Sequence, residues 1–297
     1  MTQDPRPFGR LLTAMVTPFR RDGSLDVDGA QKLAAHLVDQ QGNDALVLSG
    51  TGGESPTTTD AEKETLIRAV GEAVGDRAMI VAGVGTNDTA HTLELAHAAE
   101  KAGAHGLLVV TPYYNKPPQA GLIRHFSTVA DATGLPIMVY DIPHRAGVAI
   151  ATETMVRVAE HPRIVAVKDA KGDIAGTSDV LRRTDLAYYS GEDAGTLPWL
   201  SLGAVGVVGT STHLCGAATK EMILAWERGD HAAALELHRR LLPLFTGIFR
   251  TAGTILVKAA LNAMGMPAGA VRSPLVDATG EELDRLRADA AAAGITL

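Results

Sequence analysis

Ile164-Val165-Ala166-Val167-Lys168-Asp169-Ala170-Lys171-Gly172-Asp173 joins an apolar, β-branched run to an abrupt patch of charge. Such a run reads as a strand buried on both faces, and the Gly/Asp punctuation behind it as the turn into a helix. Lys168 therefore stands at the tip of a buried strand. Desolvation disfavours an ammonium, so an amine placed there sheds its proton more readily and can attack a carbonyl to form an imine. The plainer alternative is a strand-end lysine paired with Asp169 or stretched out to water. This segment by itself leaves both open.

The same unit recurs on either side. Apolar runs at 11–16, 45–48, 79–82, 106–110, 136–140, 164–168, 186–190 and 206–209 are strand candidates, each followed by Gly, Pro, Thr or Asn. Between them, stretches with helical periodicity include 27–41, 60–74, 89–102, 121–132 and 152–160. Thr59 with Glu62, and Thr279 with Glu282, form capping boxes that satisfy otherwise orphaned amide donors. Eight strands alternating with helices predict an α/β chain folded as a closed (β/α)8 TIM barrel. An open doubly wound sheet would more often carry a glycine-rich fingerprint after its first strand, and none follows Val16.

Beyond residue 209 the pattern turns helical, with candidates at 220–228, 230–250, 252–264 and 281–293. This predicts a barrel over 1–228 and a C-terminal helical extension over 229–297. Leu235, Leu237, Leu241, Leu242, Leu244 and Phe245 give the extension an apolar surface to dock on the barrel or on a neighbouring subunit, and Pro243 is expected to kink its first helix.

Composition limits the function. With 297 residues, 46% of them hydrophobic, the chain can bury a large core. Against 34 acidic residues stand 27 basic ones, for a net charge of −7, without a basic stripe carrying interleaved aromatics. Nucleic acid is thus not an expected partner. Cys215 is the sole cysteine, so no intrachain disulfide forms, and no Cys/His cluster reads as a metal site. Two prolines near the N-terminus and the lack of a long apolar run predict a soluble, unprocessed, cytoplasmic protein without a membrane segment.

In an eight-stranded βα barrel, chemistry sits at the C-terminal ends of the strands. Here those ends lead into Ser49-Gly50-Thr51-Gly52-Gly53-Glu54, Thr111-Pro112-Tyr113-Tyr114-Asn115, Tyr140-Asp141-Ile142-Pro143-His144-Arg145 and Lys168. The glycine-rich turn can offer backbone N–H groups and the Thr51 hydroxyl to an anion, or serve only as a tight βα turn. Without a following Gly-Lys-Ser/Thr it is not a P-loop. Tyr140 suits proton transfer, and Arg145 has the planar fork that fits a carboxylate; each could equally be a solvated strand-end or loop residue. Tyr113-Tyr114 is notable where aromatics are only 4% of the chain, because two adjacent rings in a short loop need an interface or a site to cover them.

Taken in order, Ala14-Met15-Val16-Thr17-Pro18-Phe19, Gly50-Thr51-Gly52-Gly53-Glu54, Thr111-Pro112-Tyr113-Tyr114, Tyr140 with Pro143, Val167-Lys168-Asp169 and Ser190-Gly191-Glu192-Asp193 resemble the dihydrodipicolinate synthase and N-acetylneuraminate lyase family of class I aldolases. The resemblance spans nearly the whole chain. It implies a reaction without cofactor or metal, in which Lys168 forms an imine with pyruvate and the derived enamine attacks an aldehyde. It assigns Tyr140, Thr51 and Tyr114 to a proton relay, with Tyr114 reaching into a neighbouring subunit's site. A homodimer is then required, and a dimer of dimers is usual in the family. Amides near Thr51 and Gly52 would hold the pyruvate carboxylate, and Gly191 and Val208 match pocket-lining positions. Arg145 resembles the synthases, where it binds the carboxylate of L-aspartate 4-semialdehyde on the way to 4-hydroxy-tetrahydrodipicolinate, lysine and diaminopimelate. Alternatives are an aldolase or lyase acting on a 2-keto-3-deoxy sugar acid or N-acetylneuraminate, and a non-catalytic oxo-acid-binding paralogue. Two positions depart from the family pattern: Gly52 replaces a threonine, and Ala146 interrupts the usual Arg-Thr-Gly. Ser55, Asn87 and Tyr113 match a lysine-feedback pocket, whereas Asp60, Lys63 and His91 stand where sensitive enzymes tend to carry His, His and Glu. Lysine inhibition is therefore expected to be weak.

Overall fold

A computed structural model describes residues 6–297; the N-terminal reading given above falls largely on Met1 to Pro5, outside the described residues. The chain runs β1 (Leu11–Ala14), α1 (Val27–Asp39), β2 (Ala45–Leu48), α2 (Asp60–Val74), β3 (Met79–Gly83), α3 (Thr89–Lys101), β4 (Gly106–Val110), α4 (Gln119–Asp131) and β5 (Ile137–Asp141). It continues through α5 (Pro143–Ala146), α6 (Thr152–Val158), β6 (Ile164–Asp169), α7 (Ile174–Arg183), β7 (Ala187–Ser190), α8 (Thr196–Ser201), β8 (Gly206–Gly209) and α9 (Thr212–Glu227). Three helices follow: α10 (His231–Gly247), α11 (Gly253–Ala263) and α12 (Gly280–Ala292).

Acceptor side chains start many of these helices. Asp26 takes the Gly29 amide, Asp88 the Ala90 amide and Asp173 the Gly176 amide, while both predicted capping boxes are closed reciprocally. The strands pair in parallel and in sequence order, and β8 closes on β1, so the sheet is the closed barrel that the alternation predicts. Alternation along each strand separates two apolar layers. Leu12, Val47, Val81, Leu108, Met138, Ala166, Tyr189 and Val208 fill the barrel, whereas Leu11, Leu46, Ile80, Leu107, Val139, Tyr188 and Val207 face the helices.

Some expectations move. β1 stops at Ala14 rather than Val16, and α9 begins at Thr212 instead of residue 220. The Ser211-Thr212-His213 segment reads as loop, yet the Ser211 carbonyl accepts from the Leu214 and Cys215 amides and starts a turn that Cys215 then kinks, at φ −132°. α10 stays continuous through Pro243. On its apolar stripe Leu241, Leu244 and Phe245 are buried, while Leu235 and Leu242 are exposed. α10 packs on α9 and α12, and α11 on α12 and α9. Among the described residues no helix is long and apolar enough to cross a membrane, and no group of His, Cys, Asp or Glu is arranged to hold a metal ion.

The C-terminal segment returns to the start of the barrel at Phe19, which pairs with Gly269 in an isolated parallel bridge. Lys258 Nζ stands 4.4 Å and the Arg272 guanidinium 3.9 Å from the centre of the Phe19 ring, within cation–π range. Gly269 has φ +68°, and a Cβ there would lie 1.9 Å from the Phe19 carbonyl oxygen. Gly269→Ala is expected to cost at least roughly 2 kcal/mol from backbone strain and this clash. Urea unfolding checks it; an unchanged midpoint would mean that the closure adjusts freely.

Candidate active site

Strand register brings the site together. Tyr140 pairs with Lys168 across β5 and β6, and Lys168 with Tyr189 across β6 and β7. A register shift opposite Ile137 and Met138 takes Val165 out of the ladder and changes the phase of β6. Ile164 consequently faces the helices, while Ala166 faces the barrel interior. Lys168 follows Ala166 inward, its Nζ 4.2 Å from the centre of the Tyr140 ring. Asp169 points the other way, accepting from the Lys171 and Gly172 amides at 2.9 and 3.2 Å and from the Thr177 hydroxyl at 2.8 Å. The Lys168–Asp169 pairing left open by the sequence is therefore not made.

Lys168 is only 5% exposed. Burial pulls its pKa down to about 8, with the Asp193 carboxylate opposing that shift and the Arg145 guanidinium reinforcing it. Burial likewise pushes the Tyr140 phenol well above its ordinary range, against the lowering effects of Arg145 and of a hydrogen bond with Thr51; Glu192 adds to the rise. At neutral pH Tyr140 thus carries its proton and can donate it.

The turn after β2 sorts its backbone groups. Its carbonyls are all engaged: Gly50 O accepts from Ser55 N, Thr51 O from Glu54 N, Gly52 O from the Thr254 hydroxyl and Gly53 O from the Thr17 hydroxyl. Among the described residues no acceptor meets the N–H groups of Thr51, Gly52 or Gly53. Three successive free amides make a nest suited to a carboxylate. A Cβ on Gly52 would lie 2.7 Å from the Ala14 carbonyl oxygen, so this turn sits against β1 too closely for the threonine of the family pattern.

The remaining predicted residues are placed unevenly. Arg145 lies on the exposed single turn α5, its charge acting on both Tyr140 and Lys168. Gly191 follows β7 and donates its N–H to the Asp169 carbonyl at 2.6 Å, leaving the carbonyl as the group it can offer a ligand. Val208 is buried among the inner-barrel side chains. Tyr114 does not join them within this chain; it is 87% exposed, with φ +72°.

The sequence motif Ser190-Gly191-Glu192-Asp193 assigns no role to Asp193. It is fully buried, accepts from the Thr210 amide at 3.1 Å, the Ser211 amide at 3.1 Å and the Ser211 hydroxyl at 2.7 Å, and is the acidic group whose charge Lys168 feels. Its place just after a barrel strand was the available signal.

A buried amine with its pKa drawn down to about 8, beside a protonated phenol and an anion nest at the mouth of a (β/α)8 barrel, defines a Schiff-base aldolase of class I. The family model described as "Dihydrodipicolinate synthetase family" matches residues 7–293, and the chain belongs to that family. It is 70% identical over 292 residues to the 4-hydroxy-tetrahydrodipicolinate synthase of Acidothermus cellulolyticus, covering 98% of this chain and 94% of that one. To 4-hydroxy-tetrahydrodipicolinate synthase 2 of Streptomyces coelicolor it is 61% identical, covering 98% and 97%. Among solved structures, the lysine-bound dihydrodipicolinate synthase from Cyanidioschyzon merolae superposes with a TM-score of 0.94 at 42% identity, covering 97% of this chain and 99% of that one.

Only the neutral amine attacks a ketone. With Lys168 titrating at about 8, imine formation is expected to slow by about tenfold for each pH unit below that value and to level off above it. Stopped-flow trapping of the adduct across pH measures this, and a rate independent of pH through that range would remove Lys168 as the attacking group.

Proposed function

We propose that the protein condenses pyruvate with L-aspartate 4-semialdehyde to give 4-hydroxy-tetrahydrodipicolinate, in the cytoplasm, on the route to diaminopimelate and lysine. The observation that carries the reading is the Lys168 amine, buried inside the barrel against the Tyr140 ring. Lys168 Nζ attacks C2 of pyruvate, and loss of water leaves an imine. Loss of a methyl proton gives the enamine, whose carbon attacks the aldehyde. The oxygen of that aldehyde takes its proton from the Tyr140 and Thr51 hydroxyls. The amino group of the second substrate then displaces Lys168 from the imine carbon and closes the ring.

The amide nest of the β2 turn holds the pyruvate carboxylate, and Gly191 and Val208 line the pocket. Arg145, at the rim, has the planar fork that favours an acceptor with its own carboxylate over the neutral polyol of a sugar acid's aldehyde half. The barrel, residues 1–228, carries this site, and the extension, residues 229–297, packs on it. Tyr114, exposed and held in the left-handed region, completes the relay in a second copy of the chain, so the working unit is a homodimer, assembled as a dimer of dimers.

Borohydride added with pyruvate should leave a reduced adduct on Lys168, and Lys168→Ala should abolish it. Mass spectrometry of the labelled peptide reads the position; label on Lys171 or Lys258 would overturn the assignment. A screen of aldehydes with product identification separates this acceptor from sugar-derived ones.

Regulation follows from the α2 and α3 surface. The Asp60 carboxylate, the acidic group at the feedback positions, already accepts from His91 Nε2 at 2.8 Å and Lys63 Nζ at 3.3 Å. A lysine ligand would bring its ammonium against two basic side chains and a carboxylate already in use. Millimolar lysine is therefore expected to leave most of the activity intact in a coupled assay, and complete inhibition would refute this.

A further inference from the structure

Helix α11 lies outside the eight βα units, yet it reaches the substrate turn at two points one helical turn apart. Thr254 Oγ1 donates to the Gly52 carbonyl at 3.2 Å, and Lys258 Nζ donates to Glu54 Oε1 at 2.6 Å. Residues i and i+4 share a helix face, so one rigid element grips both the middle and the end of the nest. The Lys258–Glu54 pair is sealed, with each side chain 2% exposed. Each partner makes one further bond: Lys258 donates to the Ala270 carbonyl at 2.8 Å, and Glu54 Oε2 accepts from the Arg272 amide at 2.8 Å.

Two physical consequences follow. Glu54 has φ +55°, a conformation a non-glycine residue holds only where its surroundings enforce it, and the backbone on its N-terminal side carries the three free amides. Drawing the Gly52 carbonyl towards Thr254 turns the peptide so that the Gly53 amide, its other end, faces away from α11. Second, an uncompensated Glu54 carboxylate this close to the nest would repel a bound carboxylate, and in a buried setting that repulsion is weakly screened. Lys258 cancels it.

We infer that Lys258, acting through Glu54, and Thr254, acting through the Gly52 carbonyl, are positioning residues for the pyruvate carboxylate, so that the C-terminal extension sets the first binding step of a barrel it does not belong to. The inference rests on the pyruvate reading above. It separates pyruvate from the acceptor: neither residue touches Arg145, and damage to either falls on the first substrate alone.

The experiment is borohydride trapping at Lys168 as a function of pyruvate concentration, with full-length wild type, Thr254→Val, Lys258→Met and the double variant Glu54→Gln/Lys258→Met, alongside steady-state KM values for both substrates and melting temperatures. Thr254→Val, which deletes a single bond and leaves the ion pair, is expected to raise the half-saturating pyruvate concentration about fivefold, while the KM for the aldehyde stays within about twofold. Lys258→Met should raise it more, by about ten- to a hundredfold, and the double variant should recover part of that loss because the stranded charge is gone. Saturation curves of Thr254→Val and Lys258→Met that overlie the wild type, with only the melting temperatures lowered, would make both residues purely structural and overturn the inference. Equal rises in both KM values would do the same. If Lys258→Met does not fold, Thr254→Val decides. Absence of any adduct in the wild type would instead defeat the pyruvate reading, and the inference with it.

Discussion

A single register shift in β6 underlies the site. With strict alternation Ile164, Ala166 and Lys168 would share a face, and a strand anchored by Ile164 against the helices would send its lysine outward with it. The shift opposite Ile137 and Met138 lets Val165 and Ala166 both turn towards the interior, after which Lys168 points in and Asp169 out. Everything chemical depends on that phase. Inward, the amine meets the Tyr140 ring and loses water; outward, it would meet Asp169 and Thr177 and remain an ordinary ammonium.

Burial alone would be a blunt device, because the imine proposed to form on Lys168 would itself be cationic when protonated. Asp193 tempers it. Burial raises the pKa of Asp193 itself, a rise opposed by the Ser211 hydroxyl, two backbone amides and the charge of Lys168, and from this fixed position it opposes the lowering of the Lys168 pKa. A carboxyl group already met by three donors does not need to form an ion pair with Lys168, so it can temper positive charge there without capturing the amine. The outcome is an amine poised near neutrality rather than one stripped of its charge at all pH values.

Much of this was legible in the residues. Apolar runs punctuated by Gly and Asp located the strands, and knowledge that barrel chemistry gathers at strand ends picked out Lys168, Tyr140 and the glycine turn. Local pattern could not supply the phase of β6, since Ile164-Val165-Ala166-Val167 is apolar on both faces and therefore silent about which way the following lysine turns. Nor could it find the early start of α9, where Ser, Thr and Gly favour loop locally and burial decides otherwise. Glu54 and Lys258 are separated by most of the chain, and nothing short-range in either segment announces the other. Tyr114 marks a different limit. Its amide donates to the Ala146 carbonyl at 3.3 Å, yet the ring stays 87% exposed, so the sequence signal of two adjacent rings is not accounted for by packing within one chain.

The helical extension then has a reason to exist beyond core area. A closed barrel fixes side chains on its strands to within the play of a hydrogen-bonded ladder, but the loops at its mouth inherit none of that rigidity. The turn after β2 keeps three amides unpartnered, an arrangement that costs free energy and that a free loop would relax by turning a carbonyl inward. Engaging every carbonyl of the turn closes off that relaxation: the Ser55 and Glu54 amides hold two from within, Thr17 holds one from the β1 loop and Thr254 another from α11, and the buried Glu54–Lys258 pair fixes the end. α11 is in turn fixed by its packing on α9 and α12 and by the Phe19–Gly269 closure. Preorganisation of the nest is thus borrowed from helices that carry no group of their own to the reacting atoms.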